Sequence, residues 1–350
     1  MSVDFDQASS LVAANSSKLR SLPILLLNVH ENCNCRCLMC DIWKRPGGSE
    51  LNLDSLTRMR DSLHALGVRH VVLTGGEPLL HTRFEELCGF LKEQKVRITL
   101  LTTGLLLQKR AESVAAWVDE VIISLDGPEA VHDSIRRVKR GFELTRRGIL
   151  AVRHYRPAMQ IQARSTVQRR NFQFLRETVA AAKQLQFDSI SFLAADVTSE
   201  AFNRELVWPG ERQSEIALAA SEIAILENEI ESLIDQYYNE IADCYVLESP
   251  EKLRRIVRHF RAHLGELSPK APTCNAPWVS AVMEIDGSIR PCFFHRVVGN
   301  VQRDTLERAI NSPDAVRFRQ TLDVAQDPTC QRCVCSLNYQ NMRSQPPPAD

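Results

Sequence analysis

Neither sign of charge prevails in this chain of 350 residues, which carries 43 Lys and Arg against 43 Asp and Glu. Nucleic acid and anionic membrane surfaces select a basic excess, so the balance argues against either as a partner. No apolar run approaches the ~18 residues of a membrane-spanning helix. Met1 to Gln7 lack a basic region and a long apolar stretch, so no secretion signal is expected. Disulfides are unexpected as well. The cysteines number eleven, an odd count, and nine of them fall in two groups at 33–40 and 274–335. Clustered Cys-x2-Cys spacings mark metal binding in a reducing compartment, where thiols stay free, so the expected location is cytoplasmic. Cys88 and Cys244 stand apart in helical patterns and read as buried small hydrophobes.

What is present is a repeat of short apolar runs and amphipathic segments. Ile24–Val29, Val68–Leu73, Val96–Leu101, Glu120–Leu125, Met159–Val167 and Ser189–Ala194 read as strands. Helical patterns lie near 52–66, 83–94, 108–117, 136–149 and 172–185. Strands alternating with helices imply right-handed crossovers and a parallel sheet. Six units are too few for a closed eight-stranded barrel, so the expected fold class is α/β, a partial (β/α)6 TIM-like barrel. After Trp208-Pro209-Gly210 the pattern changes. Ile223, Leu226, Ile230, Leu233, Tyr237 and Ile241 form the stripe of one long helix. Ser249-Pro250 opens a second helix, which Gly265 ends. These predict a helical hairpin insert, followed by a small C-terminal domain that holds the second cysteine group. The expected division is a lead-in at 1–20, barrel at 21–205, helical segment at 206–268, cysteine-bearing domain at 269–340 and an extended tail at 341–350.

The first cysteine group, Cys33-Asn34-Cys35-Arg36-Cys37-Leu38-Met39-Cys40, directly follows the first strand. Cys33, Cys37 and Cys40 stand as C-x3-C-x2-C, which lets a short loop converge three thiolates on one cluster. A cubane held by three cysteines leaves one iron open to a small chelating ligand, whereas four thiolates close the site. Ligand sites in such sheets lie at the carboxyl ends of the strands. The motifs Thr74-Gly75-Gly76-Glu77-Pro78, Thr102-Thr103-Gly104 and Ser124-Leu125-Asp126-Gly127-Pro128 fall at those ends.

These four stretches, in this order over residues 21–200, resemble the radical S-adenosylmethionine (SAM) enzymes. The Thr102-Thr103 turn lacks the asparagine often found in that family, and Met39 stands where an aromatic often touches adenine. The resemblance implies a 4Fe-4S cluster on Cys33, Cys37 and Cys40 that binds SAM at its open iron and cleaves it reductively. The 5′-deoxyadenosyl radical so formed takes hydrogen from substrate. Glu77, with Gly75 and Gly76 beside it, would receive the SAM ammonium. Ser124 and Asp126 would face the ribose and methionyl groups, with Thr102 and Thr103 supplementing them. Arg136 or Arg164 would pair the carboxylate. No residue is assigned as catalytic.

In the second group, Cys274, Cys292, Cys330 and Cys333 offer four thiolates, with an Asp286-Gly287 hairpin turn between strand-like runs. The C-x12-G-x4-C spacing resembles the SPASM extension in its shortened form, Twitch, which implies an auxiliary 4Fe-4S cluster. Structural zinc is the alternative. Cys35 and Cys335 are left over. The expected function is a radical SAM enzyme of oxidoreductase type acting on a small molecule in a biosynthetic pathway, fed by a reductant such as flavodoxin or ferredoxin. The alternatives are a peptide- or protein-modifying radical SAM maturase and a non-catalytic iron–sulfur electron-transfer protein.

Overall fold

A computed structural model describes residues 17–45, 47–202, 204 and 206–339. The expected tail, and all but 17–20 of the expected lead-in, lie outside the described residues. The six expected strands are present: β1 Ile24–His30, β2 His70–Gly75, β3 Arg97–Thr102, β4 Glu120–Ser124, β5 Gln160–Val167 and β6 Ser189–Ala194. They are parallel and lie in sequence order, and the sheet is open. Alternation along the strands fixes which residues meet. Leu25, Val71 and Ile98 stand in register across β1, β2 and β3; Leu27, Leu73, Leu100 and Val121 do so from β1 to β4. All seven are fully buried. At about 1.5–3 kcal/mol for each large aliphatic side chain removed from water, such rows are the main favourable contribution to this layer.

Helices α1 Leu53–Thr57, α2 Arg60–Ala65, α3 Phe84–Glu93 and α4 Leu107–Trp117 connect the first four strands. Between β4 and β5 the chain forms two helices, α5 Glu129–Arg136 and α6 Gly141–Tyr155, in place of the one expected at 136–149. Arg137 and Arg140 take left-handed backbone angles (φ +54° and +62°), which no helix continues through. Helix α7 Leu175–Gln184 leads to β6, and α8 Gly210–Ile216 follows it. The long stripe at 223–241 also divides, at Tyr237, into α9 Ala220–Gln236 and α10 Tyr238–Ala242. Cys244, expected to be buried, is exposed in the turn that follows, whereas Cys88 is fully buried. Helix α11 Pro250–His263 opens as expected, with the Ser249 hydroxyl accepting from the Lys252 amide. Its pairing with α9 makes the helical hairpin. No helix among the described residues is long and apolar enough to cross a membrane.

The C-terminal region joins the barrel sheet directly. β7 Ser280–Met283 pairs in parallel with β1, and β8 Ser288–Arg290 and β9 Gly299–Asn300 continue the sheet antiparallel, giving nine strands in the order β6-β5-β4-β3-β2-β1-β7-β8-β9. Gly287, at φ +81°, makes the expected hairpin turn. A Cβ on Gly299 would lie 2.4 Å from the Ala309 carbonyl oxygen. Overpacking of this kind costs about 1–3 kcal/mol. Gly299→Ala is therefore expected to lower the thermal unfolding midpoint, and a midpoint equal to wild type would show that β9 and the Leu306–Ala309 helix are not tightly apposed.

Candidate functional site

The site begins where β1 ends. The Arg36 and Leu38 amides donate to the carbonyls of Arg136 (3.2 Å) and Ile135 (3.1 Å) at the end of α5. The loop is thus laced to a helix terminus. The Cys35 thiol hydrogen-bonds with those of Cys33 and Cys37. Cys40 feels the charge of Cys37 and Cys33. Two donors point at sulfur: the Ile42 amide at Cys40 Sγ and Arg136 Nη1 at Cys37 Sγ, both at 3.5 Å. A hydrogen bond from Cys35, helped by Arg136 and opposed by burial, lowers the Cys37 thiol to about 6. The hydrogen bonds to Cys33 and Cys37, together with burial, push Cys35 up. Burial pushes Cys40 up to about 12, so its thiolate needs an added cation. Converging sulfurs with donors aimed at them fit an iron–sulfur cluster, whose metal charge deprotonates its thiols.

The glycines of the second motif lie against this loop. A Cβ on Gly76 would sit 2.1 Å from the Asn32 carbonyl oxygen, and one on Gly75 2.7 Å from that of His30. The Glu77 amide donates to the Asn32 carbonyl. Glu77 itself is fully buried. Its carboxylate accepts from the Leu79 amide (3.1 Å), the Thr102 hydroxyl (2.8 Å), the Thr103 amide (2.8 Å) and the Thr103 hydroxyl (2.7 Å). Burial raises its pKa against these four donors. No Lys, Arg or His among the described residues stands within ion-pair distance of it.

The remaining predicted residues divide. Asp126, fully buried, is paired with Arg136 at 2.7 Å and accepts from the Thr166 amide at 2.9 Å. Arg136 therefore stays protonated in spite of burial, and faces Cys37. This pair orients the cysteine loop. Ser124, half-buried at the end of β4, is in register with Arg164 of β5, and Arg164 with Ser191 of β6. Arg164 Nε donates to the Ser191 hydroxyl at 3.3 Å. Arg136 and Arg164, expected as alternatives, thus serve different places.

A further set of residues was not anticipated. Buried Arg204 pairs with Asp196 at 2.6 Å, stacks on Trp208 at 4.0 Å and donates to the Met39 carbonyl. The Trp208 indole donates to Asp41 at 2.7 Å, and Arg212 donates to the Leu38 carbonyl. Together they clamp the cysteine loop from the side of β6. In the sequence, Trp208 marked only a change of pattern.

The second cysteine group gathers around the β7–β8 hairpin. Cys330 and Cys333 both feel the charges of Cys292 and Cys274, and Cys292 that of Cys274. Four half-buried free thiols sharing one place fit an auxiliary cluster. Cys335 lies in the same field. His295, Asp327 and Cys330 form a second possible donor set, with ligand atoms within 4.8 Å of one another. His295 escaped notice because nothing in its spacing marks it. A cavity of about 1160 Å³ lies among Gln162 and Arg164 of β5, Ser191 of β6, one face of α11 and the Cys333–Cys335 segment.

Two family models match this arrangement: the radical SAM superfamily over residues 27–161, and an iron–sulfur cluster-binding domain, SPASM, over residues 274–334. The chain carries a radical SAM domain followed by a SPASM domain. Its two matched domains imply 4Fe-4S clusters and SAM as cofactors. Among its relatives is a probable GTP 3′,8-cyclase of Methanococcus maripaludis, 31% identical over 35% of this chain and 46% of that protein. Another is the antilisterial bacteriocin subtilosin biosynthesis protein AlbA of Bacillus subtilis, 24% identical over 81% of this chain and 58% of AlbA. Native anSMEcpe with bound AdoMet and Kp18Cys peptide shares the fold, with a TM-score of 0.63 at 19% identity over 86% of this chain and 84% of that one. Matches to the first of the curated relatives span under half of their length.

Anaerobically reconstituted radical SAM protein is expected to hold about eight irons, two cubanes of four. Cys35→Ala should keep that iron and Cys37→Ala should lose about half of it. Iron analysis showing the reverse would make Cys35 the ligand, and bound zinc without iron in a Cys33, Cys37, Cys40→Ala variant would make the second site a zinc site.

Proposed function

We propose that this radical SAM protein reductively cleaves SAM and abstracts hydrogen from a substrate seated in the cavity beside Arg164. The observation that carries the reading is Glu77, a buried carboxylate with no cation at ion-pair distance among the described residues, beside a loop of converging thiols. A ligand bearing an ammonium would supply the missing charge. Cys33, Cys37 and Cys40 would hold the cluster, which would supply the electron for reductive cleavage of SAM and so for hydrogen abstraction from substrate by the resulting 5′-deoxyadenosyl radical.

The chain's own residues hold the reactants. Gly75 and Gly76 allow backbone to approach closely, Glu77 receives the ammonium, and Ser124 with Thr102 and Thr103 borders the same strand ends. Asp126 fixes Arg136, whose charge steadies Cys37. The clamp of Arg204 and Trp208 keeps the loop closed against β6. Cys274, Cys292, Cys330 and Cys333 would hold the auxiliary cluster, which would accept or deliver an electron in an overall oxidation. The proposed division is the barrel at 21–205, the helical segment at 206–268 and the cluster domain at 269–340. We place the protein in the cytoplasm, with flavodoxin or ferredoxin as reductant.

A small molecule is the first substrate reading. The second, a peptide, is favoured by coverage: the relative AlbA aligns over 81% of this chain, whereas the cyclase aligns over 35%.

Glu77→Gln removes a charge-assisted contact of about 1.5–3 kcal/mol. SAM affinity is then expected to fall by roughly ten- to more than a hundredfold. The measurement is 5′-deoxyadenosine formed against SAM concentration, with iron content checked in both proteins. Equal SAM dependence would remove Glu77 from the site, and no 5′-deoxyadenosine from wild type with a reducible cluster would leave an electron-transfer protein.

A further inference from the structure

Helix α11 has three faces with different fates. Leu253, Ile256, Val257 and Phe260 are buried in the core. Arg254 and Arg261 face α9, where each pairs with a glutamate at 2.6 Å, Glu231 and Glu227. Lys252 and Arg255 face the cavity instead. Among the described residues, neither has a carboxylate within ion-pair distance.

The same holds for the other cations of that wall. The cavity is lined by six Lys and Arg, including Arg164, Lys270 and Arg332, against two acids, Glu248 and Glu251. None of the six forms an ion pair among the described residues. Glu248 offsets little, since its carboxylate accepts from the buried Phe192 amide at 2.8 Å and burial raises it to about 7. In a chain with equal numbers of acids and bases, this concentration is local and specific. Cations gathered along one concave wall focus a positive field that draws anions in, and salt screens that field. The volume, about 1160 Å³, accommodates more than a drug-sized ligand.

We infer that the substrate taken by this cavity is anionic, with clustered carboxylate or phosphate oxygens held between Lys252, Arg255 and Lys270. The inference rests on the cavity being the substrate site of the activity proposed above. An acidic peptide segment and a small polyanion present the same oxygens, and the test separates them.

Fluorescein-labelled hexaglutamate and inorganic pyrophosphate serve as probes of the reconstituted full chain, by anisotropy and by calorimetry. At least one is expected to bind, with affinity falling as salt rises. Lys252→Glu with Arg255→Glu should weaken binding by about tenfold or more, and Lys270→Glu should weaken it independently. Arg254→Gln, on the outer face of the same helix, should leave it unchanged. Hexaglutamate that pyrophosphate cannot displace assigns the anion to a peptide; pyrophosphate binding without hexaglutamate binding assigns it to a small molecule. Neither probe binding, or equal binding by the charge-reversed variants at unchanged iron content, overturns the inference, as does an equal loss in Arg254→Gln. SAM cleavage is followed in the same wild-type preparation. Cleavage without probe binding rejects the anionic substrate alone, and probe binding without cleavage rejects the proposed activity alone.

Discussion

Thiolates gathered in one loop repel each other, and the protein answers that repulsion from outside the loop. The counter-charge is Arg136, held by Asp126 at 2.7 Å with both side chains buried. Removing one partner of such a pair typically costs about 3–5 kcal/mol, because the other is left as an unpaired buried charge. The last residues of a helix also have carbonyls without an intrahelical partner. Those of Ile135 and Arg136 accept the Leu38 and Arg36 amides of the cysteine loop. The helix end of α5 therefore serves as scaffold and counter-charge at once, and the left-handed Arg137 that terminates it is part of the site.

The same sheet carries the two cysteine groups. β7 pairs residue for residue with β1, Ile24 with Ser280 through Leu27 with Met283. The side chain of Asn28 donates to Glu284, just past the end of β7. Sites built on neighbouring strands of one sheet hold their spacing better than sites on linked domains, which suits chemistry in which electron transfer depends on distance. The Arg204–Trp208 clamp closes the cysteine loop from the opposite edge, at β6. The loop is thus gripped by the α5 terminus, by the Gly75-Gly76 turn and by the clamp, all lying outside it in sequence.

The order of strands and the positions of the motifs were legible because period-two alternation and glycine turns are local signals. All six barrel strands begin and end within two residues of their expected limits. What failed was also local in cause. The 136–149 and 223–241 patterns have helical periodicity on both sides of a break, and periodicity does not register the φ reversal at Arg137 and Arg140 or the Tyr237 kink. The pairing of β7 with β1 joins residues some 250 positions apart and has no trace in either segment alone. Glu77 and Asp126 are equally acidic in the sequence, yet among the described residues one has no cation at ion-pair distance and the other is bound to Arg136. Only the fold separates those roles.

That separation orders the charges. Asp126 with Arg136, and Asp196 with Arg204, are paired internally, and both pairs grip the cysteine loop. Among the described residues, buried Glu77 on one side has no cation at ion-pair distance, and the more exposed Lys252, Arg255 and Lys270 on the other have no carboxylate there. On α11 the contrast is with Arg254 and Arg261, each paired with a glutamate of α9. An excess negative charge at the β2 and β3 ends and an excess positive charge beyond β5 and β6 instead match the proposed pair of ligands, an ammonium-bearing cofactor and an anionic substrate. Each ligand would relieve a different uncompensated field, so the two could fill their places without competing for the same groups.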